Sequence, residues 1–124
     1  MTDPIADTIT RIRNAVMTQN KACEILASSF NSRLLELLKE EGYLGEISRD
    51  EQNPRVLKVN LLSDKIHGLK RLSKPGRRLY VGHKHIPISL SGYGTIIVST
   101  PKGLLTGKSA RQQHLGGELI VEIN

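Results

Sequence analysis

The spacing of apolar residues changes along this chain, and that change limits the folds it can adopt. Near the N-terminus apolar residues recur every three or four positions, which predicts an amphipathic helix over residues 4–18. Near the middle of the chain they alternate with polar residues, which predicts strands. The helical set is Ile5, Ile9, Ile12 and Val16, and the alternating set is Leu57, Val59 and Leu61. Because neither period covers the whole chain, we predict an α+β fold.

The same patterns predict two small α/β domains. Residues 1–64 should form a helix–strand–helix–hairpin unit, and its hairpin strands should lie at 43–49 and 55–62. Residues 65–124 should form a mainly antiparallel β domain with one short helix. The strands expected in this second domain are 77–81, 95–100 and 118–123, and the helix is 106–114.

Capping and turn residues predict where several elements begin and end. Asp3 is placed as the N-cap of the first helix, and Ser28 or Ser29 should cap the second. Gly42 should end that second helix in a left-handed conformation. Residues 73–76 contain adjacent Pro and Gly, which favour a type II turn.

Charge is distributed unevenly between the two halves. The chain carries a formal net charge of +6, yet residues 1–62 hold 8 basic and 9 acidic side chains, and residues 63–124 hold 10 basic and 3 acidic. No Asp or Glu occurs between Asp64 and Glu118, where ten Lys and Arg residues lie. A stretch of one sign this long indicates a polyanionic partner. Nucleic acid is the favoured one, ahead of an anionic membrane or an acidic protein.

Cysteine content and hydropathy indicate the cellular setting. The single cysteine, Cys23, cannot form an intrachain disulfide, which fits a reducing compartment, and it is expected to be a small core residue. The apolar runs are too short to span a bilayer, and the N-terminus lacks the hydrophobic region of a secretory signal. We therefore expect a soluble, intracellular, basic protein with no membrane partner.

Two motifs suggest enzyme or metal chemistry, and both are rejected. Residues 103–109 resemble a phosphate-binding P-loop, but three residues separate the glycines where the motif needs four. His83 and His85 lie two apart, yet Cys23 is remote, so they are interpreted as exposed loop residues rather than zinc ligands. We predict no enzyme activity, no metal, no cofactor and no small-molecule substrate.

One group of residues in the basic half has the chemistry to bind RNA. Residues 99–103 follow the predicted strand residues 95–98 and offer hydroxyls, a Lys and a Gly, which suit a loop that contacts phosphate and sugar. Lys108 and Arg111 come a few residues later, one helical turn apart on the predicted short helix. Glu118 is an isolated acid in this basic field, and two interpretations stay open for it. It could pin a neighbouring Arg or Lys, or it could accept hydrogen bonds from a base amino group or a ribose hydroxyl.

Several blocks of residues resemble one known family. The blocks are Met1–Asn14, Ser73–Gly82, Ser99–Gly103, Ala110–Arg111 and Leu115–Ile120, in order along the whole chain. The chain is similar in these blocks to bacterial-type small-subunit ribosomal protein number eight. It departs from the family at Pro101, where Ser is usual, and at Gly107, where an acid is frequent.

The resemblance implies a structural constituent of the small ribosomal subunit. Such a protein would bind directly to the central domain of small-subunit ribosomal RNA, at a distorted stem with an internal loop, support subunit assembly and contact neighbouring ribosomal proteins. It would act on the ribosome in the cytoplasm, or in the matrix or stroma of an organelle of bacterial descent. An alternative is a translational regulator that binds messenger RNA through the same surface.

The resemblance also implies which residues contact RNA. The principal contacts would come from Tyr80, Ser99, Thr100, Lys102, Gly103, Gly116, Gly117 and Glu118. Arg77, Arg78 and Arg111 would supply contacts to the RNA backbone. A secondary RNA-facing surface would consist of Arg11, Arg13 and Asn14 on the first helix.

Overall fold

The chain contains helices and antiparallel strands in two compact units. A computed structural model describes residues 4–87 and 94–124, so the predicted N-cap at Asp3 lies outside the described residues. The two units are Met1–His67 and Gly68–Asn124. Both contain helix and antiparallel sheet, which confirms the α+β prediction. Within the described ranges, no helix has the length and apolar character needed to cross a membrane.

The first unit is a three-stranded antiparallel sheet with two helices. Its elements are α1 (Pro4–Met17), β1 (Ala22–Leu26), α2 (Ser29–Glu40), β2 (Leu44–Arg49) and β3 (Val56–Leu61). The strand order is β1-β3-β2, so the hairpin strand β3 is central. Helix α1 packs against β1 and α2 against β2. The predicted helix–strand–helix–hairpin order is therefore confirmed.

The ends of α2 are fixed by the residues expected there. The Ser28 side chain accepts a hydrogen bond from the backbone N–H of Asn31 at 3.0 Å, so Ser28 rather than Ser29 is the N-cap. Gly42 follows the helix with φ of +89°, a backbone conformation that L side chains rarely adopt. Apolar side chains of α2, including Leu34, Leu35 and Leu38, are fully buried. Burial of this face, rather than helix propensity, supplies most of the helix's stability.

A buried polar contact joins α1, α2 and β1. The Thr8 hydroxyl donates to Asn31 Oδ1 at 3.0 Å, and Asn31 Nδ2 donates to the Leu26 carbonyl at 2.8 Å. Thr8 and Asn31 are 1% and 4% exposed, so water cannot replace either partner. A buried polar group that loses its partner retains its desolvation penalty, which makes this pair a strong constraint on how the three elements pack.

The second unit is built around β8. Its elements are β4 (Leu69–Arg71), β5 (Tyr80–Val81), β6 (Thr95–Thr100), β7 (Gly103–Thr106), α3 (Gly107–Gln112) and β8 (Gly117–Ile123). The strand order is β4-β8-β6-β7, and β5 also pairs with β8. Leu119, Ile120, Val121, Glu122 and Ile123 are all buried. Single 3-10 turns lie at Ser63–Lys65 in the first unit and at His83–His85 in the second.

The basic segment before β5 differs from the sequence prediction. Only Tyr80–Val81 of the predicted strand 77–81 is a strand, because Arg77 closes a turn by exchanging backbone hydrogen bonds with Lys74 at 3.0 and 2.9 Å. Pro75 and Gly76 are the central residues of that turn. The type II prediction is wrong, because that turn needs a positive φ at its third residue and Gly76 does not have one.

We expect Thr8→Val to destabilise the first unit. The substitution keeps the size of the side chain but leaves Asn31 Oδ1 without its donor, and such a loss costs about 1–3 kcal/mol. The free energy of unfolding can be measured by urea titration, followed through the backbone NMR signals of α1 and α2. Thr10→Val is the matched control, since Thr10 is exposed on the same helix. Equal effects of the two substitutions would contradict the assigned role of the Thr8–Asn31 bond.

Candidate nucleic-acid interface

An open groove of about 680 Å³ lies on the second unit. It is lined by Tyr80, Val81, Gly82, Ser99, Pro101, Gly116, Gly117 and Glu118. Five of the residues proposed to bind RNA therefore lie together, namely Tyr80, Ser99, Gly116, Gly117 and Glu118. The others lie elsewhere. Thr100, Lys102 and Gly103 lie in the adjoining hairpin, and Arg77 and Arg78 lie in residues 74–78, here called the basic turn. Arg111 lies on α3, and Arg11, Arg13 and Asn14 lie on α1.

Strand register brings three of the predicted RNA-binding side chains of the groove side by side. Tyr80 of β5 is paired with Glu118 of β8, and Glu118 is paired in turn with Ser99 of β6. Residues directly opposite each other in antiparallel strands project from the same face. Tyr80 is 66% exposed, so its ring is available for stacking. An aromatic face, a hydroxyl and a carboxylate thus border one groove, a combination that can stack on a base and bond its polar edge.

The two glycines of the groove allow strands to approach closely. A Cβ placed on Gly117 would lie 2.0 Å from the Ser99 carbonyl oxygen. A Cβ on Gly116 would lie 2.5 Å from the Val81 carbonyl oxygen and 2.9 Å from Gly82 Cα. These obstacles are backbone atoms, which cannot rotate away as a side chain can. Both positions therefore exclude any side chain, and the floor of the groove depends on them.

The predicted loop at residues 99–103 is a tight hairpin. Ser99 and Thr100 belong to β6, and Gly103 begins β7, a strand that the sequence reading missed. The Thr100 hydroxyl donates to the Gly103 carbonyl at 2.7 Å and accepts from the backbone N–H of Lys102 at 3.2 Å. Gly103 has φ of +104°, so a side chain there would be strained. Thr100 and Gly103 thus hold the turn, and Pro101 and Lys102 are exposed at its tip.

Glu118 pairs with a basic neighbour, Arg78. Its Oε1 atom lies 3.7 Å from Arg78 Nη1, with the Glu118 side chain 15% exposed and that of Arg78 57% exposed. The first interpretation of this acid, that it pins a neighbouring Arg, is therefore observed. An ion pair this exposed contributes little to stability. A carboxylate has about four acceptor positions, so the contact with Arg78 leaves capacity for donors from a ligand.

A buried serine, Ser73, holds the basic turn next to the groove. Its hydroxyl accepts from the backbone N–H of Leu79 at 2.7 Å, and its own N–H donates to the Leu119 carbonyl at 3.0 Å. Arg71 Nε donates to the Ser73 carbonyl at 2.5 Å. Ser73 is only 2% exposed. Sequence reasoning missed this role, because a serine beside Pro and Gly looks like an exposed loop residue.

The surface on the first helix forms a second, smaller groove. Arg11 and Asn14 border a groove of about 420 Å³ between α1 and β1, and Arg13 is exposed on the same helix outside that groove. Arg11 Nε also bonds Asp7 Oδ2 at 3.1 Å. Cys23, half-buried in this groove, departs from the expected core position. Burial raises the pKa of its thiol, and the positive charge of Arg11 opposes that shift.

The rejected motifs have ordinary structural explanations. In the P-loop-like segment, residues 103–106 are strand β7, and Thr106 caps α3 by accepting from the Ser109 N–H at 3.2 Å. His83 was expected to be exposed but is half-buried, since its ring packs edge-on against His114 with centroids 5.1 Å apart. Among residues 4–87 and 94–124, no group of three or more His, Cys, Asp or Glu side chains could hold a metal ion.

Comparison with known proteins gives matches over nearly the whole chain. The family profile described as "Ribosomal protein S8" matches residues 3–124. Small ribosomal subunit protein uS8 of Natranaerobius thermophilus is 46% identical over 129 residues, covering 99% of this chain and 98% of that protein. The uS8 proteins of Mycoplasmopsis synoviae and Syntrophus aciditrophicus are 45% and 43% identical, with the same coverage.

We expect Gly117→Ala to disrupt the second unit. The added methyl group would overlap the Ser99 carbonyl oxygen and push β6 away from β8. The free energy of unfolding should therefore fall by about 3 kcal/mol or more, the upper end of the usual cost of overpacking. Gly76→Ala is the control, because a Cβ there meets nothing within 4 Å and φ is not positive. Urea unfolding monitored by the NMR signals of β6 and β8 would measure both. A Gly117→Ala protein as stable as the control would contradict the close approach.

Proposed function

Because this chain belongs to the ribosomal protein S8 family, we propose that it is a structural constituent of the small ribosomal subunit and binds small-subunit ribosomal RNA directly. The relatives above carry the name of a small-subunit ribosomal protein, and they match this chain from end to end. The charge of the second half, with ten Lys and Arg residues between Asp64 and Glu118, suits a polyanionic partner.

The target we propose is a distorted stem with an internal loop in the central domain of that RNA. Regular A-form RNA has a deep, narrow major groove that side chains cannot read, so sequence-selective proteins use sites where bases leave the stack. The observation that carries this proposal is the alignment of Tyr80, Glu118 and Ser99 across three adjacent strands. Tyr80 would stack on an unpaired base, and Ser99 and Glu118 would bond its polar edge or a ribose hydroxyl.

Basic residues around this groove would hold the RNA backbone. Lys102 is exposed at the tip of the hairpin next to Ser99, and Arg77 and Arg78 are exposed on the turn that precedes Tyr80. Arg111 would add a contact from α3. In this arrangement Thr100 and Gly103 act mainly by shaping the hairpin, and Gly116 and Gly117 act by keeping the groove floor free of side chains.

A secondary RNA contact is proposed on the first unit. Arg11, Arg13 and Asn14 are all exposed on α1, and Arg11 and Asn14 border the same groove. In the assembled particle the protein would also contact neighbouring ribosomal proteins and support assembly of the subunit. Its place would be on the ribosome, as in the bacterial relatives.

A footprint on naked small-subunit ribosomal RNA tests the proposed target. We expect the protein to protect one stem of the central domain, centred on an internal loop, at a salt concentration that removes loosely bound protein. Protection confined to another domain would contradict the proposed target. If no part of the RNA is protected under these conditions, direct binding is contradicted.

Glu118→Ala should reduce selectivity more than affinity. We expect the preference for the internal-loop stem over a fully paired stem of the same length to fall about tenfold, the effect of one lost polar contact at roughly 1.4 kcal/mol. Filter binding or calorimetry on the two RNAs would measure it. An equal loss on both RNAs would contradict the role of Glu118 in selection.

Lys102→Ala is the contrasting variant for this experiment. It removes a backbone contact, so both RNAs should bind more weakly by a similar factor, and the slope of log K against log salt should decrease by about 0.7–0.9. Lys39→Ala, which removes an exposed Lys of the first unit, should change neither quantity.

A further inference from the structure

The 3-10 turn His83–His85 runs alongside α3 in the second unit. At one end the ring of His83 packs edge-on against that of His114, with centroids 5.1 Å apart. At the other end Gly107 lies so close to Ile86 that a Cβ there would be 3.2 Å from Ile86 Cγ2. Residues 83–86 therefore run antiparallel to α3, and the two segments are in contact at both ends.

This packing places two adjacent segments that both carry exposed basic residues beside each other. We call these exposed residues the basic ridge, and its members are Lys84, His85, Lys108, Arg111 and His114. Lys108 and Arg111 are three positions apart on α3, so their side chains lie on neighbouring parts of the helix surface. The sequence from 65 to 117 contains no acidic residue, so no carboxylate of that stretch neutralises the ridge.

The basic ridge begins at the rim of the groove. Gly82 lines the groove and immediately precedes His83, and Gly116 lines it two residues after His114. From there the ridge follows α3, whose six residues span about 9 Å at 1.5 Å per residue. A nucleic-acid strand seated in the groove could therefore continue along the ridge.

We propose that the basic ridge is a second phosphate-binding surface, which follows the RNA backbone of one flank of the stem away from the groove. The proposal rests on the proposed function, because it assumes that the groove holds the internal loop. Lys84 and Lys108 would each contact a phosphate, and the backbone contact already proposed for Arg111 would form part of the same surface. The ridge would add affinity and fix the direction of the stem, without reading its sequence.

The test uses the full chain with Lys84→Ala and Lys108→Ala combined. Removing two phosphate contacts should decrease the slope of log K against log salt by about 1.4–1.8 on the internal-loop stem. Preference for that stem over a fully paired one should stay within twofold of wild type. The matched control removes two exposed lysines of the first unit, Lys39→Ala with Lys58→Ala, and should leave the slope unchanged.

The length of the stem gives a second readout. Shortening the stem by one helical turn on one flank should lower the wild-type slope to that of the Lys84/Lys108 variant, and shortening the other flank should not. If wild-type protein and variant give equal slopes on the full stem, the ridge does not bind RNA, and the proposed function survives. If wild-type protein shows no preference for the internal-loop stem over a fully paired stem, the proposed function itself is contradicted.

Discussion

The contact between the start of β8 and the backbone of β6 determines the shape of the second unit. Gly117 lies so close to the Ser99 carbonyl that no side chain fits, and a Cβ on Gly116 would also overlap the backbone at Val81 and Gly82. Strand β8 also pairs with β4 and β5, so three of the other four strands depend on its position. Without this close approach Tyr80, Glu118 and Ser99 would not be neighbours.

In the proposed function, the second unit uses different residues to hold RNA and to select it. Apart from Lys70 and Arg71 on β4, its lysines and arginines are exposed on turns, on the hairpin tip and on α3, where they can reach phosphates without losing their hydration. The residues suited to selection lie on strands, whose register fixes their spacing. This arrangement suits RNA recognition, because positive charge alone binds all sequences alike and a rigid polar site is needed to discriminate among them.

Several polar residues of the basic half act within the protein. The Thr100 hydroxyl closes the hairpin between β6 and β7, and Ser73 holds the basic turn against β8. Both are largely buried, and both use their hydrogen bonds internally. Their effect on a ligand is therefore indirect, since they set where Lys102, Arg77 and Arg78 are presented. A hydroxyl group within a segment predicted to bind RNA therefore need not lie on the surface that contacts RNA.

The amino-acid sequence was sufficient to predict the fold class, the order of most elements and the concentration of positive charge after residue 63. These are local or additive properties, which periodicity, capping residues and counting can reveal. It did not reveal β4 and β7, the turn geometry at Gly76, the burial of Ser73 or the packing of His83 on His114. The tertiary structure was needed to show that residues 80, 99 and 118 share one groove and that the turn at residues 83–85 packs beside α3. The reason is that such neighbours come from strands and turns far apart in the chain, and no local pattern encodes which of them pair.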